Sequence, residues 1–202
     1  MQVIGIYSPY PGAGKSTLAA RLNMRYGYAR MKMAGPLKEM LRAYLYSQGL
    51  KSSEIEDMIE GSAKHIPHYA LNDRTPRHAM QTLGTEWGRN CMGEDFWVEA
   101  ASEQIEHVLN NGLNVVVDDV RFPNEMDMIR DLGGIVVRIR RPALEKAHRK
   151  PWYKRWFSSS HSSEGSLDRM VFDMEITNGY TDHKSLRVPK LNASSIKCIG
   201  RM

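Results

Sequence analysis

Cysteine and long apolar stretches are scarce in this chain of 202 residues, and each scarcity excludes a class of protein. The two cysteines, Cys91 and Cys198, have neither metal-ligand spacing nor the density of a disulfide framework, so we expect reduced thiols. No apolar run approaches the roughly 20 residues that span a bilayer. The chain begins directly in a strand-like segment, without the pattern of a signal peptide. We therefore expect a cytoplasmic protein with no membrane partner.

Strand-like apolar segments alternate with helical patterns along most of the chain. This alternation predicts an α/β fold with a parallel sheet that is covered by helices on both faces. The predicted strands are residues 4–7, 28–33, 115–117, 135–139 and 172–177. The predicted helices begin at or just after residues 14, 36, 75, 94 and 124. Asn124 is expected to cap the last of these helices.

A Gly-rich turn joins the first predicted strand to the first predicted helix. The segment Pro9–Thr17 ends in Gly-Ala-Gly-Lys-Ser-Thr, as a phosphate-binding P-loop does, with Pro9 standing where the first glycine of that pattern usually lies. Backbone N–H groups and a helix N-terminus attract phosphates there. We expect Gly12, Ala13, Gly14, Lys15, Ser16 and Thr17 to bind a nucleotide, with Lys15 on the terminal phosphates and Ser16 on Mg²⁺. Gly12 and Gly14 can adopt unusual backbone angles, whereas Pro9 fixes φ and donates no hydrogen bond.

A predicted helix over Thr75–Arg89 carries an unusual polar face. At about 100° per residue, Arg77, Gln81, Gly84 and Gly88 share a narrow arc. One interpretation is a shallow groove in which a base approaches the backbone, Gln81 hydrogen-bonds that base and Arg77 clamps a phosphate. The other interpretation is close helix–helix packing through the two glycines. The P-loop upstream favours the first.

Two carboxylates end the strand that follows this region. Asp118 and Asp119 come directly after Val115–Val117, and a carboxylate at that position beside a P-loop can hold Mg²⁺. A helix cap or a partner for Arg121 is the structural alternative for one of them. The sequence does not separate the two.

A basic segment, residues 138–155, contains eight Lys or Arg and a single acidic residue, Glu145. Phosphoryl transfer depends on positioning and charge stabilisation, which arginines closing over the transferring group provide. Arg141, directly after a predicted strand, is the preferred catalytic arginine. The aromatic residues that follow leave a rival interpretation open, namely stacking on single-stranded nucleic acid.

The chain resembles the phage-type deoxynucleoside monophosphate kinases, a branch of the P-loop nucleotide kinases. The resemblance runs in order through nearly the whole chain, and its most specific blocks are Thr75–Arg89 and Asp119–Glu125; the other blocks are Pro11–Thr17, Ala34–Lys38, His161–Glu164, Asp173 with Ile176, and Asn178-Gly179. It implies a three-layer fold with a five-stranded parallel sheet, in one domain over residues 1–202. It further implies a monophosphate-binding insertion at about 36–92 and a basic lid at about 141–164.

The resemblance implies transfer of the γ-phosphoryl group of ATP to a deoxynucleoside 5′-monophosphate, with Mg²⁺ and in a host cytoplasm if a phage encodes the protein. Lys15, Arg141 and Asp119 are the expected catalytic residues, and Ser16, Asp118 and Asp119 the expected metal ligands. Asn178 and Gly179 are placed near the donor base. The expected acceptor-binding residues are Lys38, Arg77, Gln81, Gly84, Trp87, Gly88, Arg89 and Arg121.

Two other hypotheses remain open at this stage. A kinase that phosphorylates a modified pyrimidine, such as a hydroxymethyl derivative, within phage DNA would use the cationic, aromatic segment to hold a polymer. A binding module without turnover would bind ATP alone, although the paired carboxylates and the arginines argue against it. We expect small nucleotides as partners, with DNA under the alternative; a homodimer remains open.

Overall fold

The chain divides into two units in a computed structural model that describes residues 1–147, 167 and 170–179. The first unit comprises Met1–Arg30 and the described residues from Leu113 onward, and the second comprises Met31–Gly112. In chain order the elements are β1 (Val3–Tyr7), α1 (Lys15–Tyr26), β2 (Ala29–Met31), α2 (Gly35–Ser47), α3 (Ser52–Ile59), two short 3₁₀ helices (Ser62–His65 and Tyr69–Leu71), α4 (Pro76–Thr82), a π-helix (Leu83–Met92), α5 (Phe96–Asn110), β3 (Val115–Val117), α6 (Pro123–Asp131), β4 (Ile135–Arg140), α7 (Pro142–Ala147) and β5 (Met174–Thr177).

The five strands form one sheet in the order β2-β3-β1-β4-β5. β1 is central and pairs in parallel with both β3 and β4, and β4 pairs in parallel with β5. All five residues of β1 are buried, as expected for a parallel strand covered on both faces. The predicted five-stranded parallel α/β fold is confirmed.

Both faces of the sheet are covered within the first unit. Ile4 and Ile6 of β1 pack on one face with apolar residues of α1, among them Leu18 and Leu22. Successive side chains of a strand point to opposite faces, and the position between them, Gly5, faces Ile129 of α6. The carboxyl ends of β1, β3 and β4 therefore meet at one edge of a buried sheet.

The second unit is helical and has its own core. Leu41 and Leu45 of α2 pack with Ile55, Met58 and Ile59 of α3. Pro36 occupies the first turn of α2, where its missing N–H leaves no hydrogen bond unmade. Among the described residues, no helix is both long and apolar enough to cross a membrane.

Two local predictions about helices need correction. The helix predicted over Thr75–Arg89 begins as expected, because the Thr75 hydroxyl accepts a hydrogen bond from the His78 N–H at 3.1 Å. It is α-helical only as far as Thr82, and a ten-residue π-helix follows. Asn124 does not cap α6, whose first residue is Pro123.

Candidate active site

The P-loop connects β1 to α1 and leaves the start of that helix open. Gly12 and Gly14 have positive φ angles of 76° and 110°, in the left-handed region that favours glycine. Gly14 directly precedes α1 and, as a glycine, has no side chain that could cap the helix N-terminus. Ser16 and Thr17 are exposed in the first turn. The first N–H groups of α1 lack intrahelical acceptors, so this end of the helix suits an anion.

Lys15 lies among the charged groups that follow β3. Its Nζ donates a hydrogen bond to the carbonyl oxygen of Ser8 at 3.0 Å. Burial lowers the pKa of Lys15, and the charge of Arg121 lowers this pKa further, while Asp118 and Asp119 act in the opposite direction. The predicted donor lysine and both predicted carboxylates therefore interact electrostatically at one edge of the sheet.

The two carboxylates after β3 have different surroundings. Asp118 is buried, and its Oδ2 accepts a hydrogen bond from Nη2 of Arg30 at 2.8 Å. Arg30 is a partner that the sequence did not indicate. Asp119 is only half-buried. The described residues contain no group of three or more His, Cys, Asp or Glu side chains that could hold a metal, but Mg²⁺ commonly takes only one or two carboxylates.

The loop after Asp119 is held by Glu125, a residue to which the sequence assigned no role. The buried Glu125 carboxylate accepts hydrogen bonds from the backbone N–H groups of Arg121 at 2.6 Å and Phe122 at 3.2 Å. The Arg121 side chain is exposed. A glutamate in the first turn of a helix is the sequence signal that could have indicated this role.

Arg141 and Asn178 contact the P-loop itself. Nη1 of Arg141 donates to the carbonyl oxygen of Gly12 at 2.6 Å, and Nδ2 of Asn178 donates to that of Ala13 at 3.0 Å. Both residues are buried, whereas Gly179 is exposed. Arg141 was expected in a moving lid, yet its guanidinium is packed against the loop.

The rest of the basic segment is only partly described. Arg138 lies 3.7 Å from Glu175 and 5.4 Å from the centre of the Phe172 ring, and Arg140 forms a two-point contact with Glu145. These two arginines are engaged within the first unit. Most of the predicted lid at about 141–164, including the aromatic residues after Pro151 and the His161–Glu164 block, lies outside the described residues.

In the second unit, Arg77 and Gln81 lie one turn apart on α4. Both side chains are exposed, and neither makes a side-chain hydrogen bond within the described part of the chain. A guanidinium and an amide on one turn can both contact a nucleotide. Arg89, farther along in the π-helix, donates through Nη1 to the carbonyl oxygen of Glu94 at 3.4 Å.

Packing explains one of the two glycines of the predicted groove, Gly88. Trp97 of α5 donates its indole N–H to the carbonyl oxygen of Gly84 at 2.9 Å. A Cβ at Gly88 would overlap the same indole ring. Trp87 packs in a cluster with Phe96 and Trp97, with ring centres 5.3 and 5.8 Å away. The 100° arc fails here because the π-helix has more residues per turn than an α-helix.

Lys38 belongs to a network of ion pairs around Glu60. The Glu60 carboxylate accepts hydrogen bonds from Nζ of Lys38 at 2.7 Å and Nζ of Lys32 at 3.0 Å. Burial acts to raise the pKa of Glu60, but the two lysines outweigh it and the pKa is lowered. The expected acceptor lysine is therefore held by an internal anion.

Comparisons with known proteins agree with this chemistry. A sequence profile of the family described as deoxynucleotide monophosphate kinase matches residues 49–151, just over half of the chain. A protein of Acanthamoeba polyphaga mimivirus, provisionally named as a deoxynucleotide monophosphate kinase, is 29% identical over 150 residues, which cover 66% of this chain and 71% of that protein. The deoxynucleoside-5′-monophosphate kinase of Escherichia phage T5 is 28% identical over 123 residues, which cover 58% of this chain and 45% of the phage protein.

A solved structure from Chloroflexus aurantiacus, provisionally titled a kinase, aligns with a TM-score of 0.38 and 11% identity over 88% of this chain and 84% of its own. That likeness is too distant to bear on the reaction. Neither curated relative is named for an activity on DNA, so a DNA-embedded acceptor is not favoured.

Proposed function

Because this chain belongs to the deoxynucleotide monophosphate kinase family, we propose that it transfers the γ-phosphoryl group of ATP to a deoxynucleoside 5′-monophosphate, giving ADP and the diphosphate. The observation that carries the proposal is the P-loop with Lys15 beside Arg121, Asp118 and Asp119 at the carboxyl edge of the sheet. Ligands of open α/β sheets bind outside this edge. Two cations and two carboxylates around an open helix start suit a phosphate chain with its metal.

The donor is bound by the P-loop. The backbone of Gly12, Ala13 and Gly14 and the N-terminus of α1 accommodate its phosphates, and Lys15 exchanges its bond to Ser8 for the terminal phosphates. Asn178 and Gly179 lie in sequence just beyond β5, and we assign Gly179 to the neighbourhood of the donor base. Thr17, exposed beside Ser16, completes the first turn of the site.

The residues present fit a Mg²⁺ ion. The Ser16 hydroxyl and the Asp119 carboxylate are the hard oxygen ligands that Mg²⁺ prefers. Asp118 is buried whereas Asp119 is only half-buried, so we assign direct binding to Asp119 and a supporting role to Asp118. Bound Mg²⁺ would neutralise charge on the transferring phosphates.

The acceptor is assigned to polar side chains of α2, α4 and the π-helix. Arg77 and Arg89 bind its phosphate, and Gln81 binds its base. Lys38 replaces its hydrogen bond to Glu60 with one to the acceptor phosphate. Arg121 is exposed on a loop that Glu125 holds, and we assign its charge to the transferring group. Gly84, Trp87 and Gly88 support this surface by packing rather than by contact with the nucleotide.

The reaction forms a bond between the acceptor phosphate oxygen and the γ-phosphorus and breaks the bond to the β–γ bridging oxygen. The protein supplies position and charge rather than a covalent intermediate. Lys15 and Arg121 stabilise negative charge on the phosphoryl oxygens. Lys15 loses water of hydration through its burial, which strengthens its interaction with a phosphate.

The test is an acceptor screen. The protein is incubated with ATP and Mg²⁺ and with each deoxynucleoside monophosphate in turn, or with DNA containing hydroxymethylated pyrimidines, and the ADP and the products are separated. We expect ADP to form together with at least one deoxynucleoside diphosphate. Transfer to DNA alone would replace this function with the alternative, and ATP binding without transfer to any acceptor would indicate a binding module.

A further inference from the structure

Two side chains at the ends of neighbouring strands hold two consecutive carbonyl groups of the P-loop. Arg141 follows β4 and bonds to the carbonyl oxygen of Gly12, and Asn178 follows β5 and bonds to that of Ala13. β4 and β5 pair in parallel with Arg140 opposite Thr177, so the two residues leave the sheet side by side. The Asn178 N–H also donates to the carbonyl oxygen of Arg140 at 2.7 Å, which fixes Asn178 to β4.

Donors on the outer side of a phosphate-binding loop can hold its carbonyl groups, and one of the two held here, that of Ala13, belongs to a buried residue. When backbone N–H groups point toward an anion, the carbonyl groups of the same loop point elsewhere and need partners if they are buried. Pro9 has a fixed φ and no N–H, and it stands where a glycine is usual. Pro9 therefore stiffens its own position but offers no N–H there, and the two side chains hold the later carbonyl groups of Gly12 and Ala13 from outside.

We propose that Arg141 and Asn178 form a brace that keeps the P-loop in its phosphate-binding conformation before a nucleotide arrives. They are positioning residues, because they act through the carbonyl groups of Gly12 and Ala13. Both are more than nine-tenths buried, and a charged donor strengthens the bond to Gly12. A loop held in advance does not lose conformational freedom on binding, so the brace increases the affinity for the donor phosphates.

This inference rests on the proposed function for the identity of the donor, but not for the acceptor. It differs from a role of Asn178 at the donor base and from a role of Arg141 on the transferring phosphoryl group. Loss of a contact with the base would weaken the binding of nucleotides but not the binding of inorganic tripolyphosphate, which has no base. A charge that acts on the transferring group changes kcat and leaves donor affinity nearly unaltered.

The test measures equilibrium binding without an acceptor. Calorimetry gives the Kd of Mg-ATP and, by competition, that of Mg-tripolyphosphate for the whole chain and for Asn178→Ala, Asn178→Asp and Arg141→Ala. We expect Asn178→Ala to raise the Kd of both ligands by about 3- to 10-fold, because it removes a neutral hydrogen bond. Arg141→Ala should raise the Kd by about 10- to 100-fold, because it removes a charged one. Asn178→Asp replaces the donor with an acceptor, so it should bind no better than Asn178→Ala.

Thr177→Ala is the matched control, because Thr177 precedes Asn178 and is exposed. It should bind both ligands as the unaltered protein does. In turnover, the Asn178 variants should raise the KM of ATP and leave the KM of the monophosphate unchanged. The double variant Arg141→Ala/Asn178→Ala should lose less affinity than the two single losses multiplied together, because both act on one loop.

Unchanged Kd values in Asn178→Ala, or a loss confined to ATP, would overturn the brace whatever happens to Arg141→Ala, including a failure to fold. An unaltered protein that binds Mg-ATP but transfers to no monophosphate would refute the proposed reaction and leave the brace standing. The two failures are therefore distinguishable.

Discussion

The indole N–H of Trp97 donates a hydrogen bond to the carbonyl oxygen of Gly84 at 2.9 Å, and the same ring fills the space beside Gly88. The missing side chain at Gly88 thereby allows close approach between the π-helix and α5. The absence of a Cβ at Gly88 makes room for the indole ring.

We predict that Gly88→Ala destabilises the protein by about 1–3 kcal/mol, because its Cβ overlaps the Trp97 ring and forces a shift in a packed cluster. Gly84→Ala is the matched control. Its Cβ would meet only Leu37, at an ordinary 3.4 Å, so its stability should change by less than about 1 kcal/mol. Chemical unfolding measures both. Equal effects in the two variants would contradict the packing explanation.

Lys15→Ala should lower kcat/KM by at least about 100-fold, the usual loss when one charge-stabilising donor is removed. The fold should persist, since Nζ donates a hydrogen bond to the Ser8 carbonyl oxygen and burial disfavours the charge. Arg25→Ala, which removes an exposed cation from the last turn of the same helix, is the control and should retain activity. Steady-state kinetics and circular dichroism compare the activity and the fold of the two variants. Normal turnover in Lys15→Ala would contradict the P-loop assignment.

Asp119→Asn should raise the Mg²⁺ concentration required for half-maximal rate by about 10-fold or more, because it removes a charged metal ligand. Asp118→Asn should act mainly on stability. It weakens the pair with Arg30, whose side chain is 37% exposed, so a loss of about 1–2 kcal/mol is expected after allowing for solvent. Metal titrations and unfolding curves separate the two effects. A larger metal effect at Asp118 would reverse the assignment.

The ion pairs of Glu60 should make part of the protein's stability depend on pH. Its pKa is lowered from the ordinary 4.5, so its stabilising contribution is present above pH 4.5 and is lost as the pH falls through the folded-state pKa. Glu60→Gln should therefore have a lower Tm than the unaltered protein at pH 7, with a gap that narrows below pH 4.5. Glu103→Gln, at an exposed position on α5, should show no gap at pH 7. A Glu60→Gln gap that persisted at pH 3 would exclude this pair as its cause.

The central sheet and the P-loop could be predicted because local pattern determines them. A buried parallel strand such as Val115–Val117 reads as a continuous apolar run, and Gly-Lys-Ser-Thr directly after a strand specifies both a turn and a helix start. The positions of Asp118 and Asp119 at the strand end followed from the same register.

Contacts between distant residues could not be predicted in this way. Nothing near Asp118 indicates Arg30, which lies 88 positions away, and nothing near Ala13 indicates Asn178, 165 positions away. The π-helix is also invisible to a 100° periodicity, because the residues that stabilise it include Trp97 on another helix. Whether Arg77, Gln81 and Arg89 bind the acceptor remains a prediction.

The most direct test of the account follows the phosphorus atoms themselves. ³¹P NMR of the protein with ATP, Mg²⁺ and an accepted deoxynucleoside monophosphate should show the γ signal of ATP declining as a β signal of the deoxynucleoside diphosphate rises in equal amount. Release of the lost γ-phosphoryl as inorganic phosphate, with no diphosphate formed from any deoxynucleoside monophosphate, would contradict it.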